Sequence, residues 1–361
     1  MRFLSTITIL LAIHSIAFAD IKSDESVILF PTSAHLSEDG KQWVIPIHGW
    51  IYEPEDDSAW RSAAIEKLIK EMEFNPKAVE NETFRRRARM FIVDNERGKE
   101  LQVQIGTTKY DLKESAENGH FYDTVRIDRE NADKLARDGM LRVDVVTRQK
   151  DNRQFKQLVK LVGPRGVSVI SDIDDTIKNS HVLDKKKLAA KTFLLPFKSV
   201  DGMPDAYQHW QSKEVVFHYV SSSPWQLFPT IDGWTRHENL PRGSFHLKKF
   251  RVKDSSFLKL FASPIETKPP LIMGIMKRYP NRKFILVGDS GERDAEVYGL
   301  IYSKRPKQVH HIFIRHVNGA DNTPARFKAA FKSVPANQWT VFTNPGNLKK
   351  LDLPNATSLK K

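Results

Sequence analysis

From residue 26 to residue 160, hydrophobic and polar positions alternate in short runs. ESVILFPTSA, QWVIPIHGWIY, ARMFIVDN, LQVQIGTTKY, GHFYDTVRI, MLRVDVVTR and FKQLVKLV show period-two alternation or β-branched enrichment, with polar turns between them. One segment breaks this rhythm: SAWRSAAIEKLIKEMEF (58–74) spaces its apolar residues as a helix does. A series of short strands of this kind predicts a β-rich domain over 20–162, arranged as a sandwich or barrel.

The pattern changes after LVGPRG (161–166). VSVIS (167–171), VVFHYV (215–220), SFHLKKF (244–250), FILVG (284–288) and HHIFIR (310–315) are unbroken apolar runs separated by helical stretches. Strands that do not alternate are covered on both faces, and intervening helices make parallel crossovers. Pro269-Pro270 opens a helix that places Ile272, Ile275, Met276 and Tyr279 on one face. Residues 163–345 therefore read as a doubly wound α/β domain with a parallel sheet, whose ligands bind at the carboxyl ends of the strands. Residues 346–361 read as a loosely ordered tail.

Composition adds a compartment and a charge. Arg2 is followed by FLSTITILLAIHSIAFA, a basic start, short apolar run and A-x-A end that together read as a secretory signal peptide over 1–19. The expected location is therefore periplasmic or secreted. Cysteine is absent, which excludes disulfides, a thiol nucleophile and cysteine-based zinc sites. The formal net charge of +13 favours anionic partners such as phospholipid surfaces, phosphate esters, nucleic acid or acidic polysaccharide, without choosing among them. A solvated basic surface accounts for the same surplus. Arg85-Arg86-Arg87 is expected at a solvated edge, and Trp43 and Trp50 in the core.

Chemistry collects at the carboxyl ends of the second-half strands. The first ends in Asp172-Ile173-Asp174-Asp175-Thr176, the next in Ser221-Ser222-Ser223, and FILV in Gly288-Asp289-Ser290-Gly291-Glu292-Arg293-Asp294. Lys268 precedes the Pro-Pro helix start. Carboxylates on separate strands suit a hard cation such as Mg2+. A hydroxyl and a lysine suit a phosphate. One carboxylate can act as nucleophile to form an acyl-phosphate, and a second, when protonated, can donate to the leaving group. Crowding of acids is expected to keep that second carboxyl protonated near neutral pH. An EF-hand calcium loop is excluded, because Ile177 and Leu183 stand where it needs Gly and Glu. GDSG is set in a parallel-strand context foreign to trypsin-like proteases. His218, His237, His246, His310, His311 and His316 lack zincin spacing.

Together, DIDDT after a hydrophobic strand, a strand ending in serine, a downstream lysine and GDSGERD resemble the four motifs of haloacid dehalogenase superfamily phosphatases. More narrowly, DIDDTIKNS, HYVSSSPWQL, KRYPNRKFILVGDSGERDAEVYG, HHIFIRHV and WTVFTNP resemble the actin-patch-associated phosphatidate phosphatase catalytic-domain family. The resemblance spans about 167–344 and implies a haloacid dehalogenase-like Rossmannoid domain with a minimal cap. It implies Asp172 as the nucleophile, Asp174 as general acid and base, and Thr176 as loop support. Ser221, with Ser222 as the alternative, would bind the phosphoryl group, and Lys268 would neutralise phosphate and nucleophile. Asp172, Asp174 (through its main-chain carbonyl), Asp289 and Asp294 would serve the Mg2+ cofactor, Asp294 by holding a metal-bound water or Lys268. Asp175 matches no motif position and reads as structural.

The implied activity is Mg2+-dependent phosphomonoester hydrolysis through an aspartyl-phosphate, with phosphatidate converted to diacylglycerol and phosphate. Phosphoproteins or small soluble phosphoesters are the alternative substrates, and an idle module binding anionic polymers or membranes is the alternative class. Trp225, Leu227, Phe228 and Trp234 either pack on the sheet or rest on a lipid interface. In the second case Lys248, Lys249, Arg251 and Lys253 lie close by for peripheral contact with an anionic membrane. No transmembrane segment is expected in the mature chain, nucleic acid is not an expected partner, and oligomeric state is open.

Overall fold

The computed structural model describes residues 21–54, 59–250, 257 and 265–354. The signal-peptide segment 1–19, Arg251 and Lys253 lie outside the described residues. The first half builds a nine-stranded sheet with three helices between its strands. In chain order these are β1 (Ser26–Leu29), β2 (Ser33–Leu36), β3 (Gln42–Glu53), α1 (Ala59–Glu71), α2 (Glu82–Arg89), β4 (Asp94–Asn95), β5 (Gln102–Ile105), β6 (Thr108–Asp111), β7 (His120–Asp128), α3 (Arg129–Leu135), β8 (Met140–Val145) and β9 (Lys156–Leu161). Long β3 pairs with β1, β2, β4 and β7, and β2 passes the sheet on to β9, β8, β5 and β6. Inward residues from both parts, among them Trp43, Ile45, Val103, Val125, Val143 and Val159, share one apolar core.

Two expectations change in this half. ARMFIVDN is not a strand: Ala88 and Arg89 end α2, and only Asp94–Asn95 pairs with β3. Helix α2 hides in a polar sequence because its buried face is narrow, holding Phe84, Arg87 and Ala88, while Asn81 caps its start by accepting from Phe84 N at 2.8 Å. Nor is Arg87 part of a solvated edge. It is 2% exposed, its Nη1 donates to Thr192 O at 2.7 Å and Leu195 O at 2.8 Å, and its guanidinium lies over Phe197. A guanidinium supplies enough donors to serve the free carbonyls of a helix end. Arg85 and Arg86 remain exposed.

The second half is α/β. It runs β10 (Val167–Ser171), α4 (Lys185–Phe193), α5 (Met203–Gln211), β11 (Val216–Pro224), α6 (Phe228–His237), β12 (Gly243–Lys248), α7 (Lys268–Arg278), β13 (Lys283–Asp289), α8 (Asp294–Lys304), β14 (Val309–Arg315), α9 (Pro324–Ala330) and β15 (Trp339–Phe342). All six strands are parallel in the order β12-β11-β10-β13-β14-β15. Strand order reverses beside β10, so a crevice opens at the carboxyl ends of β10 and β13. Every residue of β10 is buried, as a sheet covered on both faces requires.

The halves are joined by packing as well as by the chain. Phe30 packs at a tilt against Trp225 and meets Phe228 edge-on, and Tyr279 Oη donates to Ser33 O at 3.0 Å. Arg282 ties down the connecting segment through Gly163 O, Val167 O and Ser168 Oγ. Trp225, Leu227, Phe228 and Trp234 are all buried, so they pack on the sheet and are not a lipid-facing patch. The stretch from 346 is likewise not a loose tail where it is described. It turns over Pro345–Lys350 and buries Leu348 in the core beneath α5.

Candidate active site

Asp172 leaves the buried end of β10 with its N–H on Val287 O (2.9 Å), which fixes it beside the end of β13. The chain then turns sharply through Asp175, whose φ is +52°. The Asp175 carboxylate accepts from the backbone N–H groups of Ser180, His181 and Val182 at 2.8, 2.9 and 2.6 Å. Arg315 Nη1 holds its carbonyl at 2.6 Å. Asp175 is thus occupied within the loop. Thr176 is fully buried, and its Oγ1 has no hydrogen-bond partner among the described residues.

Asp174 faces a different set of groups. Its Oδ1 lies 2.6 Å from Lys178 Nζ and accepts from Ser180 Oγ at 2.7 Å. Its Oδ2 accepts from Ser223 Oγ at 2.8 Å and Ser221 Oγ at 3.2 Å. Burial alone would raise this carboxyl, but Lys178 and the hydroxyls more than offset it and hold it at about 2. The expected protonated Asp174 is therefore corrected. A buried lysine four residues on, which no sequence motif singled out, keeps it ionised. Alternation along β11 puts Ser221 and Ser223 together on Asp174 and turns Ser222 away, with its Oγ unpartnered.

The remaining acids surround Lys268, which starts α7 and is 1% exposed. Its Nζ lies 2.8 Å from Asp172 Oδ1, 2.5 Å from Asp294 Oδ1 and 3.0 Å from Glu292 Oε2. These carboxylates raise the lysine well above its usual value despite its burial. Asp289, fully buried, receives the N–H groups of Gly291 and Glu292 on Oδ1 at 2.7 and 3.0 Å, while Asp294 Oδ2 accepts from Asp289 N at 3.2 Å. Burial pushes Asp172, Asp289 and Glu292 upward, and the neighbouring carboxylates add to it; Lys268 only partly opposes them. One ammonium is too little positive charge for this many acids.

A cation would complete the charge. Carboxylate oxygens of Asp172, Asp289 and Glu292 lie within 4.8 Å of one another. Asp172 Oδ2 and Asp289 Oδ2 are buried without hydrogen-bond partners. Oxygen-only donors with unused lone pairs fit a hard divalent ion such as Mg2+. Of the residues expected at the metal, Asp172 and Asp289 bring carboxylates together; Asp174 was expected there only through its main-chain carbonyl, and Asp294 only through a metal-bound water or Lys268. Glu292 joins Asp172 and Asp289, whereas the Asp174 side chain faces Lys178 and that of Asp294 faces Lys268 and Asp289 N–H. Glu292 was visible only as a carboxylate one turn beyond Asp289 in GDSGERD.

Comparison with known proteins places this geometry. Residues 167–316 match the family described as phosphatidate phosphatase APP1, catalytic domain. The chain is 37% identical over 158 residues to phosphatidate phosphatase APP1 of Saccharomyces cerevisiae, covering 43% of this chain and 26% of that protein. It is 31% identical over 169 residues to an uncharacterized protein of Schizosaccharomyces pombe, covering 46% and 27%. The chain thus spans about a quarter of the length of the curated relatives it matches. Among solved structures, one described as a beta-phosphoglucomutase from Thermotoga maritima aligns at TM-score 0.31 and 10% identity, over 50% of this chain and 96% of that one. Residues 167–316, which hold Asp172, Lys268, Asp289 and Glu292, are the part of the chain similar to the phosphatidate phosphatase APP1 catalytic-domain family.

Proposed function

We propose that the chain is a Mg2+-dependent phosphomonoester hydrolase that works through an aspartyl-phosphate on Asp172 and takes phosphatidate as substrate. The observation that carries this reading is the buried Lys268 bridging Asp172, Asp294 and Glu292 beside the Asp172, Asp289 and Glu292 group. A Mg2+ held by Asp172, Asp289 and Glu292 would neutralise phosphoryl oxygens and orient the ester.

In the first step an Asp172 oxygen attacks phosphorus, the bond to the diacylglycerol oxygen breaks, and the Asp174 carboxyl gives that oxygen a proton. In the second, water attacks the acyl-phosphate, returns its proton to Asp174 and releases phosphate with Asp172 restored. Lys178 must loosen from Asp174 for the acid form to load. Ser221 donates to the transferring group, with Ser222 the alternative donor, and Lys268 balances charge on Asp172 and phosphate.

A short insertion after β10 supports a bulky substrate. Only α4 and α5 stand between β10 and β11, which leaves a minimal cap. Leu183 and Leu195, each 48% exposed, flank α4, and Lys187 and Lys198 each lie close enough to Lys191 to repel it. Apolar side chains beside lysines suit an anionic lipid surface.

The test is phosphate release from phosphatidate vesicles, phosphopeptides and soluble esters, with Mg2+ or with EDTA. Release from vesicles that needs Mg2+ and disappears in Asp172→Asn supports the reading. Activity that survives Asp172→Asn or chelation overturns the mechanism, and release from soluble esters or phosphopeptides alone overturns the lipid assignment.

A further inference from the structure

Arg87 sits on α2 of the β-rich half, yet its guanidinium serves the segment that follows the candidate nucleophile. Besides Thr192 O and Leu195 O, its Nη1 reaches Lys191 O at 3.2 Å. These carbonyls lie at and just beyond the end of α4, on the way to Phe197. The guanidinium carbon stands 4.1 Å from the centre of the Phe197 ring. Lys178 Nζ stands 4.3 Å from the same ring centre and 2.6 Å from Asp174 Oδ1. A continuous row of contacts therefore runs from α2 through Phe197 and Lys178 to Asp174.

Two observations give this row more than a packing role. The first is that Arg87 is a poor choice for stability where it stands. It is buried, its Nε has no hydrogen-bond partner, and no carboxylate among the described residues pairs with it. Burial, with Arg86 adding to it, pushes the guanidinium down to about 10. A buried cation without a counter-charge opposes folding, and an apolar side chain in such a place is commonly neutral or better.

The second observation is the confinement of Lys178. At 2% exposure its ammonium has no water to move into when it leaves Asp174. The Phe197 ring is within reach as a second seat, because an aromatic face attracts a cation without carrying a charge of its own. The backbone fixes that reach. Asn179 N donates to Lys198 O and Val200 N to Ile177 O, both at 2.8 Å, and Lys178 pairs with Ser199 between them. Trp234 of α6 meets the Phe197 ring edge-on from another side.

We infer that Arg87 and Phe197 are positioning residues for the acid–base step at Asp174. Arg87 holds the end of α4 and the Phe197 ring in place. The ring keeps Lys178 seated when it moves off Asp174, and Asp174 gives its proton to the leaving oxygen as the P–O bond breaks. Arg87 lies before the stretch that matches the family, so the β-rich half completes a step whose other groups belong to the α/β half. This inference rests on the phosphatase reading, in which Asp174 is the proton donor.

The experiment uses the full chain and two single-chain phosphomonoesters in the same detergent micelles, dodecyl phosphate and p-octylphenyl phosphate. An alkoxide leaving group depends on a donated proton far more than a phenolate does. The ratio of kcat/KM for the alkyl ester to that for the aryl ester therefore reports the proton transfer, while a general loss of structure lowers both alike. Phe197→Leu and Arg87→Gln should each lower this ratio about tenfold or more, within what general acids contribute. Phe197→Tyr keeps the ring and should keep the ratio near the wild-type value. Phe197→Leu retains an apolar side chain, so it carries the test if Arg87→Gln fails to fold. In a folded Arg87→Gln chain, hydrogen exchange should rise at the Asn179 and Val200 amides. An equal fall for both esters, a ratio unchanged in both variants, or a loss in Phe197→Tyr as large as in Phe197→Leu overturns the proposal. A wild-type chain that hydrolyses neither ester overturns the phosphatase reading and this inference with it. One that hydrolyses both, with the ratio insensitive to Phe197 and Arg87, overturns this inference alone.

Discussion

Lys178 Nζ lies 2.6 Å from Asp174 Oδ1, and both residues are buried at the turn that carries the candidate nucleophile. Asp174 is held at about 2, below its ordinary 3.8, so the unfolded chain binds more protons than the folded one between those values. Stability from this pair is fully present above about pH 4 and is lost as pH falls through about 2, a change of roughly 2 kcal/mol. In Lys178→Met the carboxylate loses its cation but keeps its burial, and its carboxyl rises above the ordinary range. Urea unfolding should show Lys178→Met destabilised by about 3 kcal/mol at pH 7. The deficit should shrink on acidification to pH 3. An equal deficit at both pH values would show that the pair does not control Asp174.

Glu292, rather than Asp294, completes the carboxylate group with Asp172 and Asp289. Mg2+ should therefore raise the thermal midpoint of the wild-type chain, and EDTA should reverse the shift. Glu292→Gln should weaken Mg2+ binding measured by calorimetry by about tenfold or more, as loss of a direct carboxylate ligand does. Asp294→Asn should act mainly on turnover, through Lys268, with a smaller effect on Mg2+ affinity. The reverse ranking would return Asp294 to the ligand set.

Gly288 sits directly under Asp294. A Cβ at this position would stand 2.6 Å from Asp294 Cβ, too close for any real contact. Gly288→Ala should push the Asp294 carboxylate off Lys268 Nζ and Asp289 N–H. Displacement of a catalytic group by about 1 Å is enough to lower turnover on the order of 100-fold. Substrate KM on a soluble ester should change little; a variant that retains full turnover would show that Asp294 does not position Lys268.

Arg326, on α9 and beyond the family match, anchors the loop that presents Asp289 and Glu292. Its Nη1 donates to Ser290 O at 2.7 Å, its Nη2 to Glu292 O at 2.7 Å, and its Nε to Glu296 Oε1 at 3.0 Å. Lysine cannot reproduce that planar fork. Both Arg326→Lys and Arg326→Gln should weaken Mg2+ binding several-fold and increase hydrogen exchange in 289–296. Unchanged exchange in that loop would assign Arg326 to α9 stability alone.

How much of this was legible depended on the range of the forces involved. The unbroken run VSVIS and the Pro-Pro helix start with Ile272, Ile275 and Met276 on one face are local patterns, and the structure places them as a buried strand and the helix α7. Asp172 and Asp289 were likewise legible, because strand ends in a parallel sheet meet at one rim whatever the details between them, whereas Lys268 showed only as a lysine at a helix start. Helix α2 was not, since FRRRAR looks solvated until α4 supplies the carbonyls that Arg87 serves. Lys178 was not legible either, because a lysine four residues past an aspartate has many possible partners until the turn at Asp175 folds it back.

By itself, the sequence determined which half carries the parallel sheet and which end of that sheet collects acids; the nucleophile and counter-charge roles came as what the family resemblance implies. Hydrophobic period suffices for the sheet and its rim, because it is a property of neighbours along the chain. Only the tertiary structure decided how the acids divide their work. Which carboxylate faces a lysine, which faces another carboxylate and which is spent on backbone N–H groups depends on side chains brought in by β11, α7 and α9, tens of residues away.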